Sequence, residues 1–476
     1  MAHRHVVYLI LFFTAMRLLV APTFGLGVDE AHYALYGYYL DLSYVDHPPL
    51  VGWTQALMLQ LFGSSILGAR IPAILLMAYV SWECYRFLLF ANATQKQAFW
   101  GVAALNGSFM FGAIGIMLLP ENFLLALIFP IVMSVLKIEE KGRTRDFLYL
   151  GFLLGLAGLA KYTAVLLVLP LLVYIIIKKR YDLLLNPRIL LTASVGFVMI
   201  LPVLLWNASH DWISFTYQSA HVTGNSSLDL KSFVRSTIAQ FAAYNPFLFG
   251  IAFYGLVLSF RSKNSALVLA GWIGLFIELF FIGTSFLKPV LPHWPALFYC
   301  LFIPIGTVLL LQSAPKRASI TRGIVIFSLI LSALIHAELY GKWGAFPDYK
   351  SPFRDIYGFD TQTHLGAEFL DQIPTQKKAL AVMNWSYGSR LFYYSKPYKI
   401  KTFVLDDYNR QFALWEGESP IGYDLVIVHS HFNDENELST IRCDSQRIIN
   451  KTDILLNGGK VDSVEFIECI NYQGKL

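Results

Sequence analysis

The chain has 476 residues, of which 56% are hydrophobic, 15% aromatic and only 14% charged, with a formal net charge of +5. A soluble domain carries about 25% charged residues, so this chain has too little polar side-chain surface to cover a soluble globule. The composition also excludes disordered, collagen-like and small disulfide-rich proteins, and the lack of Lys/Arg clusters interleaved with aromatic residues argues against a nucleic-acid partner. The sequence therefore predicts an integral membrane protein.

About eleven apolar runs have the length of a membrane-spanning helix. They lie near residues 5–25, 70–90, 98–118, 122–137, 147–160, 162–178, 189–206, 237–259, 265–286, 291–311 and 321–339. Lys and Arg are concentrated in one set of alternate loops, which by the positive-inside rule places the N terminus in the cytoplasm. An odd number of spans then places the C-terminal part outside, which in a bacterial inner membrane means the periplasm.

Residues 340–476 are rich in charges and lack a run of membrane length. Apolar stretches at 379–383, 400–405 and 424–429 predict short strands, and 386–394 predicts a helix. We therefore expect an all-α polytopic membrane bundle over residues 1–339 and a small periplasmic α/β domain over residues 340–476. A disulfide between Cys443 and Cys469 is permitted in that compartment, but spacing alone leaves the pairing open.

The first outer loop, near residues 26–69, is too long for a simple connector. Its apolar and aromatic residues recur at helical spacing, which predicts two amphipathic helices lying on the membrane surface. The loop carries an acidic pair, Asp29 and Glu30, where the first span emerges. Either this pair supplies a base in a sheltered cleft, or Asp29 caps a helix. Asp46 and His47, before two prolines, fit either a site or a fixed turn.

Further charges are predicted on the same side of the membrane. Glu121 follows Pro120 at a tight turn between two apolar helices, and Lys161 is a lone lysine between apolar runs. Lys161 requires a partner or must extend toward the lipid headgroups, because burying its charge alone is costly. The remaining cationic candidates are Arg70, Lys288 and His293. Acids and cations gathered at headgroup level suggest transfer chemistry on a lipid phosphate.

The ordered set of outer motifs resembles the bacterial GT-C glycosyltransferases, which are related to protein O-mannosyltransferases and to the lipid A aminoarabinose transferase. The resemblance covers roughly residues 1–340. It is carried by residues 29–33, 46–50, 120–123, 158–163, 206–212 and 291–295. It implies a multi-span helical bundle with interfacial helices in the first outer loop, and transfer of a sugar from a polyprenyl-phosphate carrier.

By this resemblance, Asp29 matches the leading acid and proposed base, Glu121 occupies the second acidic position, and Lys161 is placed to meet the donor phosphate. Glu30 is the third catalytic candidate. The substrate-binding candidates are Asp46, His47, Arg70, Lys161, Tyr162, Lys288 and His293. Because a lipid phosphate is already a good leaving group, the site has to supply cationic stabilisation and, for a hydroxyl acceptor, a carboxylate base. One displacement would invert the sugar's anomeric centre.

The expected acceptor is a periplasmic-side envelope glycoconjugate, with lipid A or lipopolysaccharide first. No cofactor is expected to be required. Glu30, His47 and His293 would be the ligands of a divalent cation, but their spacing matches no known metal site. The alternative function is a transporter or flippase of a lipid-linked sugar, although the sequence contains no convincing internal repeat. A sensor anchored by the bundle is a third interpretation, for which so many spans are excessive.

Overall fold

The computed structural model describes residues 2–223, 227–344, 353–406, 410–433 and 435–475. Its helices are α1 Ala2–Val20, α2 Val28–Tyr36, α3 Leu50–Phe62, α4 Ile66–Phe90, α5 Gln95–Gly107, α6 Phe109–Ile114, α7 Pro120–Lys141, α8 Thr144–Ala160, α9 Val165–Ile177, α10 Tyr181–Leu184, α11 Ile189–Ser209, α12 Ile213–Thr223, α13 Leu230–Ala243, α14 Pro246–Phe260, α15 Ser265–Ser285, α16 Ala296–Leu311, α17 Pro315–Gly341, α18 Phe359–Asp371, α19 Trp385–Ser395 and α20 Arg410–Glu416. Its strands are β1 Lys378–Val382, β2 Thr402–Val404, β3 Asp424–Ser430, β4 Ile441–Arg442, β5 Ser445–Leu456, β6 Gly459–Ile470 and β7 Gly474–Lys475. The predicted helical protein with a small C-terminal sheet is therefore confirmed.

The predicted count of about eleven spans is not confirmed. Among the described residues, six helices are long and apolar enough to cross a membrane. These six are His3–Thr23, Ile66–Phe90, Pro120–Lys141, Ile189–Ser209, Ser265–Ser285 and Pro315–Gly341. Other apolar runs form shorter helices, because Ser108 interrupts the run 98–118 and Lys161 ends α8.

The run near 237–259 is not one straight span. It is divided between α13 and α14, which meet at an angle of 105°. Asn245 lies at the break with φ of 72°, and its side chain accepts a hydrogen bond from the backbone N–H of Phe247 (3.1 Å). Pro246 occupies the first position of α14, where its missing N–H is tolerated. Cap and proline together therefore start a new helix within an apolar stretch.

The chain forms two compact units. The first contains Met1–Leu18, Leu42–Val51 and Ile71–His336, and consists mainly of packed apolar helices. Two of its helices approach each other closely at glycine residues. A Cβ on Gly255 of α14 would lie 2.7 Å from the Cα of Gly306 in α16, so this contact requires glycine.

The second unit contains Leu19–Asp41, Gly52–Arg70 and Ala337–Leu476. The predicted domain of residues 340–476 stays a prediction, and the structure adds two earlier segments to this compact unit. Its five-stranded sheet has the order β2-β1-β3-β6-β5, with parallel pairing of β1 to β2 and β3, and antiparallel pairing around β6. Cys443 and Cys469 form a disulfide with Cα atoms 5.5 Å apart.

Helix α2 packs into the core of this second unit. Leu26, Ala31 and Leu35 belong to the same apolar cluster as side chains from α19 and the sheet. Every residue from Glu30 to Tyr36 is buried. The two helices expected in the first outer loop are present as α2 and α3, but α2 does not have the exposed polar face of a helix lying on a membrane surface, because α19 and its neighbours cover it.

Candidate functional site

Glu121 is held at the N terminus of α7 by its two neighbours in the chain. Pro120 takes the first helical position, and the Asn122 side chain accepts a hydrogen bond from the Leu119 N–H (2.8 Å) while donating to the Ile114 carbonyl (2.6 Å). The Glu121 carboxylate is 4% exposed and lies at the positive end of the helix dipole. The local sequence therefore fixes the position of a buried negative charge.

Lys161 supplies the positive charge opposite Glu121. Helix α8 ends at Lys161, whose backbone is extended, and its Nζ donates a hydrogen bond to Glu121 Oε1. The lysine is 8% exposed. It is thus paired inside the protein and does not extend toward the headgroups, which was the competing interpretation. Removing Glu121 would leave the Lys161 ammonium buried without its ion-pair partner, and removing Lys161 would take the closest cation from the Glu121 carboxylate.

His293 is a second cationic candidate beside the same carboxylate. Its Nε2 lies 3.7 Å from Glu121 Oε1. The turn that carries His293 is fixed on both sides, since Val290 N–H donates to Ser236 Oγ and the Tyr244 hydroxyl donates to the Pro292 carbonyl (both 2.9 Å). The predicted acid and cations at positions 121, 161 and 293 therefore form one cluster in the first unit.

The segment around Asp46 and His47 joins this cluster. Ser43 Oγ lies 3.4 Å from the Tyr162 hydroxyl, next to Lys161 in the chain. Helix α12 holds the segment by backbone contacts, with Gln218 donating to the Asp46 carbonyl (2.7 Å). His47 also interacts electrostatically with Glu121. The sequence motif thus brings His47 toward the Glu121–Lys161 pair, while the substrate-binding roles of Asp46, His47 and Tyr162 stay predictions.

Lys288 has a different environment. Its Nζ lies 5.5 Å from the centre of the Trp294 ring, in a cation–π contact. Partial burial lowers the pKa of Lys288 to about 8, because a buried ammonium loses hydration. The predicted contact of Lys288 with a donor phosphate stays a prediction.

Glu30 and Arg70 pair with each other in the second unit. Both are completely buried, with Arg70 Nε 2.6 Å from Glu30 Oε1 and an Arg70 terminal nitrogen 2.7 Å from Glu30 Oε2. Arg70 also donates to the carbonyls of Ala21, Phe24 and Gly25, and its guanidinium lies over the Phe24 ring. This bidentate pair fixes the start of α2, so its geometry favours a structural role over the predicted catalytic and phosphate-binding roles.

Asp29 lies in the first turn of α2 and is partly buried. Gly27 is the N-cap residue, so Asp29 is not the cap itself, but its place in the first turn is the favourable one that the alternative expected for an acid. Asp29 belongs to the second unit and the Glu121 cluster to the first. The role of Asp29 as the base stays a prediction.

An apolar groove of about 580 Å³ in the first unit ends at Lys161 and Tyr162. It is lined by α7 to α12, and most of its wall comes from α8, α9 and α11. Among the lining residues in the described part of the chain, Lys161 is the charged one. Val165 and Phe197 on its wall are also exposed, so the groove opens at the surface of the unit. Sequence reasoning missed this groove, because its lining residues look like ordinary span residues.

The described residues contain no group of three or more His, Cys, Asp and Glu side chains placed to hold a metal ion. The expectation that no cofactor is required stays a prediction.

Comparisons with known proteins agree with the resemblance read from the sequence. Residues 46–206, which include Glu121 and Lys161, match the family model of dolichyl-phosphate-mannose-protein mannosyltransferases. The fold is similar to that of ArnT from Cupriavidus metallidurans bound to undecaprenyl phosphate, with a TM-score of 0.59, 14% identity and coverage of 96% of this chain and 97% of that chain. For ArnT in the apo state the TM-score is 0.61, with 14% identity and 98% coverage of both chains. No curated protein matches this chain. The predicted resemblance to GT-C glycosyltransferases is thereby confirmed.

Proposed function

We propose that this chain is a membrane glycosyltransferase that moves a single sugar from a polyprenyl-phosphate carrier to a periplasmic-side acceptor, with inversion. The observation that carries the proposal is the apolar groove that ends at the buried Lys161–Glu121 pair. The family match and the likeness to a structure bound to undecaprenyl phosphate support it.

The length and apolar lining of the groove suit a prenyl tail. Its lining along α8 runs from Phe147 to Lys161, a rise of about 20 Å in a helix. This is most of the roughly 30 Å hydrocarbon thickness of a bilayer. A tail in the groove would remain among apolar side chains, and its phosphate would meet the ammonium of Lys161 at one end.

Lys161 is able to bind a phosphate and Glu121 together, since an ammonium has three N–H donors. In the proposed step the bond between the sugar's anomeric carbon and the phosphate oxygen breaks, and the electron pair leaves with the polyprenyl phosphate. Lys161, with His293 when protonated, stabilises the departing charge. Glu121 would keep both cations in place beforehand, which makes it a positioning residue for the phosphate site.

The acceptor oxygen forms the new bond to the anomeric carbon. If the acceptor is a hydroxyl, its proton passes to a carboxylate, for which Asp29 is our candidate. Lys161 and protonated His293 stabilise the charge on the leaving phosphate, and the step is written without a divalent metal.

We further propose an envelope glycolipid, with lipid A first, as the acceptor, and an inner-membrane location with the second unit in the periplasm. The Cys443–Cys469 disulfide supports this location, because disulfides persist in oxidising compartments. The lysine- and arginine-rich alternate loops support the same orientation.

The decisive experiment incubates the purified protein with a polyprenyl-phosphate sugar and lipid A, and measures the mass that the sugar adds to lipid A by mass spectrometry. We expect covalent transfer by the wild type and by Glu140→Gln, a change at an exposed glutamate in the last turn of α7. Glu121→Gln should lose most activity. Movement of the intact donor across proteoliposomes without covalent transfer would instead support the flippase alternative.

A further inference from the structure

The second unit contains a cavity that the proposed transfer does not use. It has a volume of about 340 Å³ and lies between the segment after α2, the end of α19, β2 and α20. Its wall includes three lysines, Lys396, Lys399 and Lys401, together with Tyr39 and Trp415. A cavity of this size falls in the range of small-molecule sites.

The lysines leave the cavity with excess positive charge. Lys401 is neutralised by Glu418 (3.0 Å) and also donates to the backbone carbonyl of Glu416 (2.6 Å). Lys396, in contrast, donates to the neutral hydroxyl of Tyr39 (2.6 Å). Burial, and then the neighbouring charge of Lys401, lower the pKa of Lys396 to about 8. An anion bound beside Lys396 would stabilise its charged form and so offset the cost of burying the ammonium.

The carboxyl group of Glu416 in the cavity wall carries little negative charge to balance the lysines. Burial raises the pKa of Glu416 to about 7, so this carboxyl group is only partly ionised near neutral pH. Its Oε1 already accepts a hydrogen bond from the Val404 N–H (2.8 Å). Glu416 therefore cannot neutralise all three lysines, and its protonated form would supply a hydrogen-bond donor to a ligand.

The other wall of the cavity is aromatic. Trp415 and Tyr39 stack with their planes 10° apart and their ring centres separated by 4.9 Å. Phe412 and His32 support Trp415 from other sides, with ring centres 5.2 and 5.4 Å away. Flat aromatic surfaces beside fixed cations suit a ligand that has an apolar ring face and a negative group.

We propose that this cavity binds an anionic saccharide, with its phosphate or carboxylate at Lys396 and Lys399 and its ring against the Trp415 wall. The same chemistry is present in a soluble sugar phosphate and in the phosphorylated head group of a glycolipid. The proposal does not depend on the transfer reaction, since it concerns binding alone.

The first test is calorimetric titration of the full-length protein in detergent at pH 7 with glucose 1-phosphate. We expect binding to the wild type, none to glucose, and at least tenfold weaker binding to Lys396→Gln and Lys399→Asn. Glutamine keeps a donor for Tyr39, and asparagine tolerates the positive φ of 55° at position 399. Lys451→Gln, at an exposed lysine on β5, is the matched control and should bind normally.

Because the probe carries a phosphate, Lys161→Met is titrated in parallel. Retained binding in Lys161→Met and lost binding in Lys396→Gln supports the proposed site. Lost binding in Lys161→Met and retained binding in Lys396→Gln would assign the phosphate to the first unit and overturn the proposal. Thermal unfolding of each variant separates lost binding from lost folding.

A second arm replaces glucose 1-phosphate by lipid A in detergent micelles. Binding of lipid A that depends on Lys396, with or without binding of the soluble probe, supports the proposal and identifies the glycolipid head group as a ligand. Binding of the soluble probe alone supports a soluble sugar phosphate. Failure of both probes, or equal binding by all lysine variants, overturns the proposal.

Discussion

Substituting methionine for Lys161 tests the buried ion pair and the proposed phosphate contact together. Methionine keeps much of the length of the lysine side chain but removes its charge. Glu121 would then remain 4% exposed without its partner. Breaking a buried pair by removing one partner costs about 3–5 kcal/mol, so Lys161→Met should lower the free energy of unfolding by that order.

The double variant Lys161→Met/Glu121→Gln separates stability from binding. It removes both charges, so most of the lost stability should return. Donor binding should not return, because the phosphate still lacks its cation. A hydrogen bond to a charged group is worth about 1.5–3 kcal/mol, which corresponds to roughly 10- to 150-fold weaker donor binding.

The assay measures thermal unfolding in detergent and equilibrium binding of a radiolabelled polyprenyl phosphate. Lys137→Met, at an exposed lysine of α7, is the matched control and should change neither quantity. Wild-type donor binding by the double variant would refute the phosphate role of Lys161. An undiminished stability of Lys161→Met would refute the ion pair as a buried, mutually dependent unit.

Three further predictions follow from the same structure. Asp29→Asn should reduce transfer by about 10²- to 10⁴-fold while donor binding is retained. The control Asp41→Asn, at an exposed position, should be active. Near-normal transfer by Asp29→Asn would show that Asp29 is not the base. Gly196→Leu should narrow the groove and raise the KM for the donor about tenfold, which corresponds to ~1.4 kcal/mol. The control Gly323→Leu, where a Cβ has open space, should leave the KM unchanged. Equal KM values for Gly196→Leu and the wild type would contradict donor binding in the groove. Burial raises the pKa of Glu416 from 4.5 to about 7, so the folded protein favours the protonated carboxyl group. The stability that this protonation contributes is full below pH 4.5 and is lost as the pH rises through 7. The loss is at most about 3 kcal/mol. Glu416→Gln should therefore unfold at a higher temperature than the wild type at pH 8 but not at pH 4.5, and parallel pH profiles would show that the carboxyl group is not responsible.

The individual charges of the site could be predicted from sequence, but their partners could not. Lys161 stands out because a lysine between apolar runs requires compensation. Its partner Glu121 lies 40 residues away, and sequence spacing does not show that α7 and α8 bring the two together. For the same reason Glu30 was predicted to be catalytic, although Arg70 neutralises it in the second unit.

Some elements of the fold could also be predicted from the sequence, and others could not. Strands β1 and β3 are largely buried and each contains a run of at least four apolar residues, so the sequence predicts their positions within a residue or two. Strand β5 is largely exposed and polar, so its sequence lacks the apolar run that marks a buried strand. The break at Asn245 and Pro246 has a visible signal, a cap followed by proline, but the surrounding apolar residues favoured a continuous span.

The second unit is assembled from three separate stretches of chain, and this order has a consequence for biosynthesis. Leu19–Asp41 and Gly52–Arg70 leave the ribosome early, whereas the strands come only after Ala337. At about 5–20 residues per second, the intervening stretch of about 270 residues delays completion by roughly 15–50 s. During that time the apolar side chains of α2 lack the sheet and α19, which bury them in the finished unit.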